Sequence, residues 1–428
     1  MSTFEVVAVL TSLTAIFSLV NYRWIKLPPT IGLMGLALVG SALLLVLGRA
    51  QVIDLTHVTA FVTAIDFDAT LLNGVLGALL FAGALHVDLN QLREERLLIL
   101  ALSTAGVALS TGLVGGGVFY LTALLGIDVP LPWCFVFGAL ISPTDPIAVG
   151  AILRKAGVPK RLEVTITGES LFNDGVGVVV FLVLAGIAGG GESLTVSHVT
   201  RLFLVEAVGG CVFGVALGWL TNRLLSRVNE YQVEILLTLA VTTGGFALAN
   251  RLHLSGALAM VVVGLMVGSS GRAFAMSEIT QARLDDFWEL VDGYLNALLF
   301  VLMGIEVVII EFTGASALAG MLVIPVVLLA RFISAGAPLA LIGLRTPSAR
   351  GALPILTWSG LRGGISVALA LSLPASSARS TLVTMTYIVV CFSILVQGLT
   401  VQWVVARVLR GPAASSPEHT APASQQTS

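Results

Sequence analysis

Gly138-Ala139-Leu140-Ile141-Ser142-Pro143-Thr144-Asp145-Pro146 lies in the middle of an apolar stretch that runs from about residue 131 to 153. A helix needs ~20 apolar residues to cross a bilayer, so the stretch is long enough to span one. Two prolines nevertheless flank Thr144-Asp145 near its centre. Each proline removes a backbone donor and clashes with the preceding turn, so a break is predicted at mid-membrane. A break at that depth is tolerated only where the opened backbone lines a cavity or meets other protein groups. A carboxylate, a hydroxyl and exposed carbonyls then form an oxygen-rich nest suited to a hard cation.

Working outward, the whole chain reads as membrane protein. Of its 428 residues 57% are hydrophobic and 11% charged, against roughly 25% charged in soluble domains. Apolar stretches fall near 4–20, 28–48, 69–87, 97–125, 131–153, 162–188, 197–221, 232–250, 254–270, 287–311, 314–343, 352–373 and 379–408. These thirteen predict an all-α polytopic protein. The stretches are too long, and alternate too little, for transmembrane β-strands. Glu5 and no Lys or Arg precedes the first stretch, so it is expected to remain as a span and not to act as a cleaved leader. Residues 1–410 are expected to form one transporter domain. The Ser- and Pro-rich 411–428 segment is expected to be a disordered cytoplasmic tail.

The basic residues supply an independent check. With the N-terminus outside and the loops alternating, sixteen of the 22 Lys and Arg residues fall on inner loops, from Arg23 and Lys26 to Arg407 and Arg410. Four (Arg49, Arg201, Arg251, Arg379) fall on outer loops, and Arg331 and Arg362 lie within spans. This is the bias expected of a multi-pass protein in the plasma (inner) membrane with its C-terminus in the cytoplasm. A net charge of −2 excludes a basic nucleic-acid surface. The three lysines never follow glycine, so there is no P-loop. Neither a zinc motif nor a paired-cysteine motif occurs. The chain is therefore expected to be no enzyme and to need no cofactor, and an ion gradient must drive any transport.

Ionisable residues within spans are functional candidates by default. Gly168-Glu169-Ser170-Leu171-Phe172-Asn173-Asp174-Gly175 holds two acids and two polar residues. Ser170 and Asp174, four apart, share a helix face. Glu169 and Asn173 are assigned by the same spacing to another. Arg331 is too deep in its span to snorkel, and Glu169 is its candidate acid. Arg362 stands in Ser359-Gly360-Leu361-Arg362-Gly363-Gly364, where the glycines predict a second broken helix and the guanidinium can oppose helix C-terminal dipoles. The two breaks fall in the fifth and twelfth spans. An odd offset means that equivalent segments run in opposite directions, which is the mark of inverted six-helix repeats. Interrupted spans in matching positions of two halves point to a transporter's ion site.

Taken together, Ile141-Ser142-Pro143-Thr144-Asp145-Pro146, Gly168 to Gly175 and Gly360-Leu361-Arg362-Gly363-Gly364 resemble the signature segments of the sodium/proton exchangers. More narrowly, they are similar to the first monovalent cation:proton antiporter family. Ser255-Gly256-Ala257-Leu258-Ala259, Asn296 to Glu306 and Val396-Gln397-Gly398-Leu399-Thr400 follow in the family's order. The resemblance implies a homodimer with a dimerisation bundle of roughly spans 1–3 and 8–10. It implies a core of spans 4–6 and 11–13 containing two crossed, broken helices supported by Pro143, Pro146, Arg362 and Gly363. It further implies that Asp174 carries Na⁺ or H⁺, with Asp145, Thr144, Ser170 and Asn173 completing or bordering the site. Na⁺ would then sit at Asp174, Ser170 and Thr144, while Glu169 and Arg331 form a structural ion pair. Asn173 before Asp174 implies electroneutral exchange, one Na⁺ (or Li⁺) per proton, serving sodium transport and pH homeostasis. The residues alone leave K⁺/H⁺ antiport and sodium-coupled symport of an organic solute open.

Overall fold

A computed structural model describes residues 3–145, 150, 153, 156–190, 204–271, 278–310, 312–342 and 351–409. The proposed tail, 411–428, and Pro146 lie outside the described residues. Among the described residues, ten helices are long and apolar enough to cross a membrane. In chain order with the shorter elements between them, they are α1 (Phe4–Ile25), α2 (Pro29–Arg49), α3 (Thr56–Leu85), α4 (Arg96–Leu124), α5 (Leu131–Ile141), α6 (Lys160–Ala188) and α7 (Leu204–Leu225). There follow α8 (Tyr231–Arg251), α9 (Gly256–Ser269), α10 (Thr280–Ile309), α11 (Gly314–Ile342), the half-helices α12 (Ala352–Trp358) and α13 (Gly364–Leu371), and α14 (Arg379–Leu409). Each of the thirteen predicted stretches overlaps one of these helices or, in the twelfth, the pair α12/α13.

The helix ends follow from local chemistry. At the end of α1, Lys26 adopts a left-handed conformation and its N–H bonds Asn21 O at 2.6 Å. The Asn21 side chain then bridges the turn, donating to Leu27 O at 2.9 Å and accepting from Leu27 N at 3.3 Å. Proline at the first position of α2 suits a site whose N–H has no helical partner. The α9 helix is capped by Ser255, whose hydroxyl accepts from Leu258 N at 3.3 Å.

One boundary departs furthest from expectation. The third span was predicted from about residue 69, whereas α3 begins at Thr56, behind an Asp54 side chain that accepts from Thr56 N at 2.9 Å. Asp66, at φ 48°, bends the element partway along. Apolar-run reading stopped at Asp66 and Asp68 because a helix with acids in its interior has no continuous hydrophobic signal.

The apolar side chains form two buried clusters. One gathers α3, α8, α9 and the first part of α10 around Phe81 and Trp288. The other joins α2, α4, α5, α11 and α14 around Phe137, Phe300 and Tyr387. With lipid as apolar as the interior, helix pairing relies on close packing of small residues. Gly210, Gly214 and Gly218 of α7 form such a seam against α9. A Cβ at Gly214 would lie 2.7 Å from Ala259 O and 3.0 Å from Ala259 Cα, and backbone cannot yield to it. Gly214→Val is expected to separate α7 from α9 and destabilise the protein by about 1–3 kcal/mol, seen as a lower unfolding midpoint in detergent. Gly244→Val, where a Cβ meets nothing within 4 Å, is the control and is expected to unfold like wild type.

Candidate ion site

The α5 helix ends at Ile141, and residues 143–145 continue outside helical geometry. The second interruption lies between α12 and α13, at 360–363. The two irregular segments cross and bond directly: Asp145 N donates to Leu361 O at 2.8 Å. Arg362, almost fully buried, lays its Nη1 against the carbonyls at the end of α5, 2.7 Å from Ser142 O and 2.9 Å from Pro143 O. Its backbone N–H donates to Ser393 Oγ at 2.8 Å, at a wide turn within α14. A positive group on C-terminal carbonyls is the favourable sense of the helix dipole. In a medium without water it also supplies the donors that those carbonyls lack.

Asp174, on α6, is 4% exposed and faces the crossing. It borders a cavity of about 40 Å³ together with Pro143, Thr144, Asp145, Asn296, Gly363 and Ser366. The remaining lining is apolar, chiefly Leu76, Leu79, Leu80 and Leu299. A single water needs about 10–15 Å³ measured in this way, so the space takes a few waters or a poorly hydrated cation. Asp145 and Arg362 lie within electrostatic reach of Asp174. Gly363 is required by geometry, since a Cβ there would run into the Asp145 carboxylate and meet its Cβ and Cγ at 2.8 Å.

Ser170 and Asn173 stand behind Thr144 and do not line the cavity. The Thr144 hydroxyl is 2.9 Å from Ser170 Oγ and accepts from Asn173 Nδ2 at 2.8 Å, while Thr144 N donates to Asn173 Oδ1 at 3.2 Å. The sequence reading grouped Asn173 with Glu169. Positions three apart also adjoin on a helix, and Asn173 turns with Ser170 toward the break. Its amide therefore satisfies both the backbone N–H and the hydroxyl of Thr144.

Glu169 points away from the cavity and accepts two hydrogen bonds from Arg331 of α11, through Nη1 and, at 2.9 Å, through Nη2. Arg331 also donates to Leu356 O from Nε at 3.2 Å and Nη2 at 3.1 Å, which ties α12 to α11. Two polar residues on the cavity wall, Asn296 of α10 and Ser366 of α13, were not assigned a role from sequence. Their signal is faint: each is an uncharged polar side chain in a span that also holds ionisable residues, Asp292 and Glu306 in one and Arg362 in the other.

Two crossed, broken helices with a carboxylate at the crossing define a helical secondary transporter of the antiporter type. The family described as sodium/hydrogen exchanger, transmembrane, matches residues 9–407, and the chain belongs to that family. It is 47% identical over 414 residues to the Na⁺/H⁺ antiporter NhaP of Pseudomonas aeruginosa, covering 95% of this chain and 97% of the relative. It is 32% identical over 394 residues to the Na⁺/H⁺ antiporter NhaH of Halobacillus dabanensis, covering 89% and 92%. Among solved structures, the sodium proton antiporter MjNhaP1 from Methanocaldococcus jannaschii at pH 8 has the same fold. Its TM-score is 0.72 at 19% identity, covering 96% of this chain and all of that one.

The Glu169–Arg331 pair yields a stability prediction. Removing one partner leaves the other charge buried alone, at a cost of roughly 3–5 kcal/mol, whereas replacing both by apolar groups leaves no orphan charge and only the Leu356 carbonyl without its donor. Glu169→Ala is expected to lower the unfolding midpoint strongly, and Glu169→Leu/Arg331→Met to recover a large part of the loss. Equal destabilisation by the single and double variants would contradict a structural role for the pair.

Proposed function

We propose that the protein exchanges Na⁺, and Li⁺ as a close analogue, for H⁺ one for one through competition at Asp174. The observation that carries this reading is a carboxylate 4% exposed beside a small cavity at the crossing of two broken helices. An ionised carboxylate without a counter-charge is costly in such surroundings. It is neutralised either by a proton or by a cation held with Asp145 and Thr144. The Asp145 carboxylate adds to the local negative charge, and the fixed Arg362 offsets part of it. With Asn173 engaged on Thr144, Asp174 alone carries the exchanged charge, so one cation replaces one proton and no net charge crosses.

In this reading the loaded core, of spans 4–6 and 11–13, moves against a bundle of spans 1–3 and 8–10 that pairs with a second copy. Movement is favourable only when the site is neutralised, because carrying a bare carboxylate past an apolar wall is unfavourable. Leu76, Leu79, Leu80 and Leu299 supply that wall. The distribution of basic residues supports an N-terminus outside and a C-terminus inside the plasma membrane. Ser170 and Asn173 act by holding Thr144 in place, and Na⁺ binding by Ser170 itself requires its hydroxyl to reach the cavity from behind Thr144.

In proteoliposomes with a trapped pH dye, Na⁺ added outside is expected to raise the inner pH, because each Na⁺ that enters is exchanged for a proton that leaves. The response should persist with the membrane voltage clamped at zero, and Asp174→Asn should abolish it. A pH change that reverses sign with voltage would contradict one-for-one exchange. Competition for one carboxylate also fixes the sign of the pH dependence. Below the apparent pKa of the site, KM for Na⁺ is expected to rise about tenfold for each unit of falling pH, with Vmax little changed. A KM independent of pH from 6 to 9 (the assay range) would contradict the competition.

A further inference from the structure

The cavity beside Asp174 has a second wall, and the polar group on it is held in a definite orientation. Asn296 projects from α10, and its Nδ2 donates both to Asp292 O at 2.8 Å and to Asp292 Oδ1 at 3.0 Å. An amide NH₂ has two hydrogens, and Asp292 takes both. Turning the amide over would set Oδ1 against two acceptors, so the group is locked with its carbonyl oxygen directed away from Asp292. That oxygen is buried in a residue only 4% exposed, has no hydrogen-bond partner, and belongs to a side chain lining the same cavity as Asp174 and Asp145. On the same cavity, Ser366 Oγ is likewise buried, in a residue 1% exposed, and without a partner.

A buried acceptor with nothing to accept costs about 1–3 kcal/mol. Two such oxygens on one cavity are the complement of something electron-poor inside it. A hard monovalent cation prefers oxygen ligands, and neutral carbonyl and hydroxyl oxygens add coordination without the repulsion that a third carboxylate would bring. The other neutral polar groups at the crossing already carry hydrogen bonds, which leaves Thr144 at most one lone pair for a cation. Thr144 is bonded to Ser170 and Asn173, and the Ser142 and Pro143 carbonyls are held by Arg362.

We propose that Asn296 Oδ1 is a ligand of the transported cation, contributed from α10 opposite Asp174, that Asp292 is the positioning residue fixing it, and that Ser366 completes the neutral half of the shell. The inference rests on the reading of Asp174 as the exchange site. It makes the cation shell a composite of the crossing and of a helix outside it.

The test uses the full-length protein in proteoliposomes, with Na⁺ as the probe and initial dye response as the rate. For Asn296→Leu, similar in size but without the oxygen, KM for Na⁺ is expected to rise about tenfold, equivalent to about 1.4 kcal/mol. Vmax at saturating Na⁺ should stay within about twofold, the pattern of lost ground-state binding. Asn296→Ala carries the same expectation and serves if the leucine variant does not yield monodisperse protein. For the positioning role, Asp292→Leu is expected to raise KM in the same direction by a smaller factor. Asp292→Asn, which keeps an oxygen acceptor for the amide, should restore it, whereas a role for the Asp292 charge itself would leave that variant impaired.

A wild-type KM in both Asn296 variants would overturn the proposal, as would a loss of Vmax with KM unchanged. Asp174→Asn in the same preparation separates the two levels. If it still exchanges, the site reading fails. If it is inactive while the Asn296 variants keep wild-type KM, only the ligand assignment fails.

Discussion

The Arg362 guanidinium on the carbonyls of Ser142 and Pro143 is the contact on which the rest of this structure depends. A membrane gives an interrupted helix no water with which to satisfy its exposed backbone, so each break must be completed by protein. Here the two breaks complete one another. Arg362 serves the end of α5, Leu361 O accepts from Asp145 N, and Gly363 has no side chain so that the Asp145 carboxylate fits against it. The crossing is thereby rigid, and a carboxylate can be kept at mid-membrane beside it without a helix being lost.

Around that brace the charges divide into two systems. Glu169 and Arg331 are spent on each other and on Leu356 O, which fixes α6, α11 and α12 in register. Such a pair specifies arrangement more than it stabilises. Asp174, only five positions further along α6, has no comparable partner among the described residues and faces the cavity. One helix thus carries a structural acid and an exchangeable one, kept apart by the rotation between their positions. The polar neighbours follow the same division: Asn173 and Ser170 steady the break, while Asn296 and Ser366 present unbonded oxygens to the cavity.

Much of this was legible in the sequence because membranes make polar residues conspicuous. Pro143 beside Thr144-Asp145 announced the first break, and Gly360, Gly363 and Gly364 around Arg362 announced the second. Arg331, deep in an apolar run, demanded an acid, and few were available. What was hidden had a physical reason in each case. The start of α3 was missed because Asp66 and Asp68 interrupt its apolar run. The direction of Asn173 was misjudged because spacings of three and four are both neighbours on a helix, and only the partner decides between them. The cavity wall of Asn296 and Ser366 depends on tertiary contacts of α10 and α13, which no local pattern encodes.

The central claim is that a proton and a cation exclude one another at Asp174, and it can be tested at equilibrium without transport. Purified protein in weakly buffered detergent solution, titrated with NaCl against choline chloride, should release close to one proton per Na⁺ bound at a pH one unit or more below the midpoint of the site's titration, and about half a proton at the midpoint itself. Asp174→Asn should release none. Saturable Na⁺ binding with no proton release, or undiminished release from Asp174→Asn, would contradict the account.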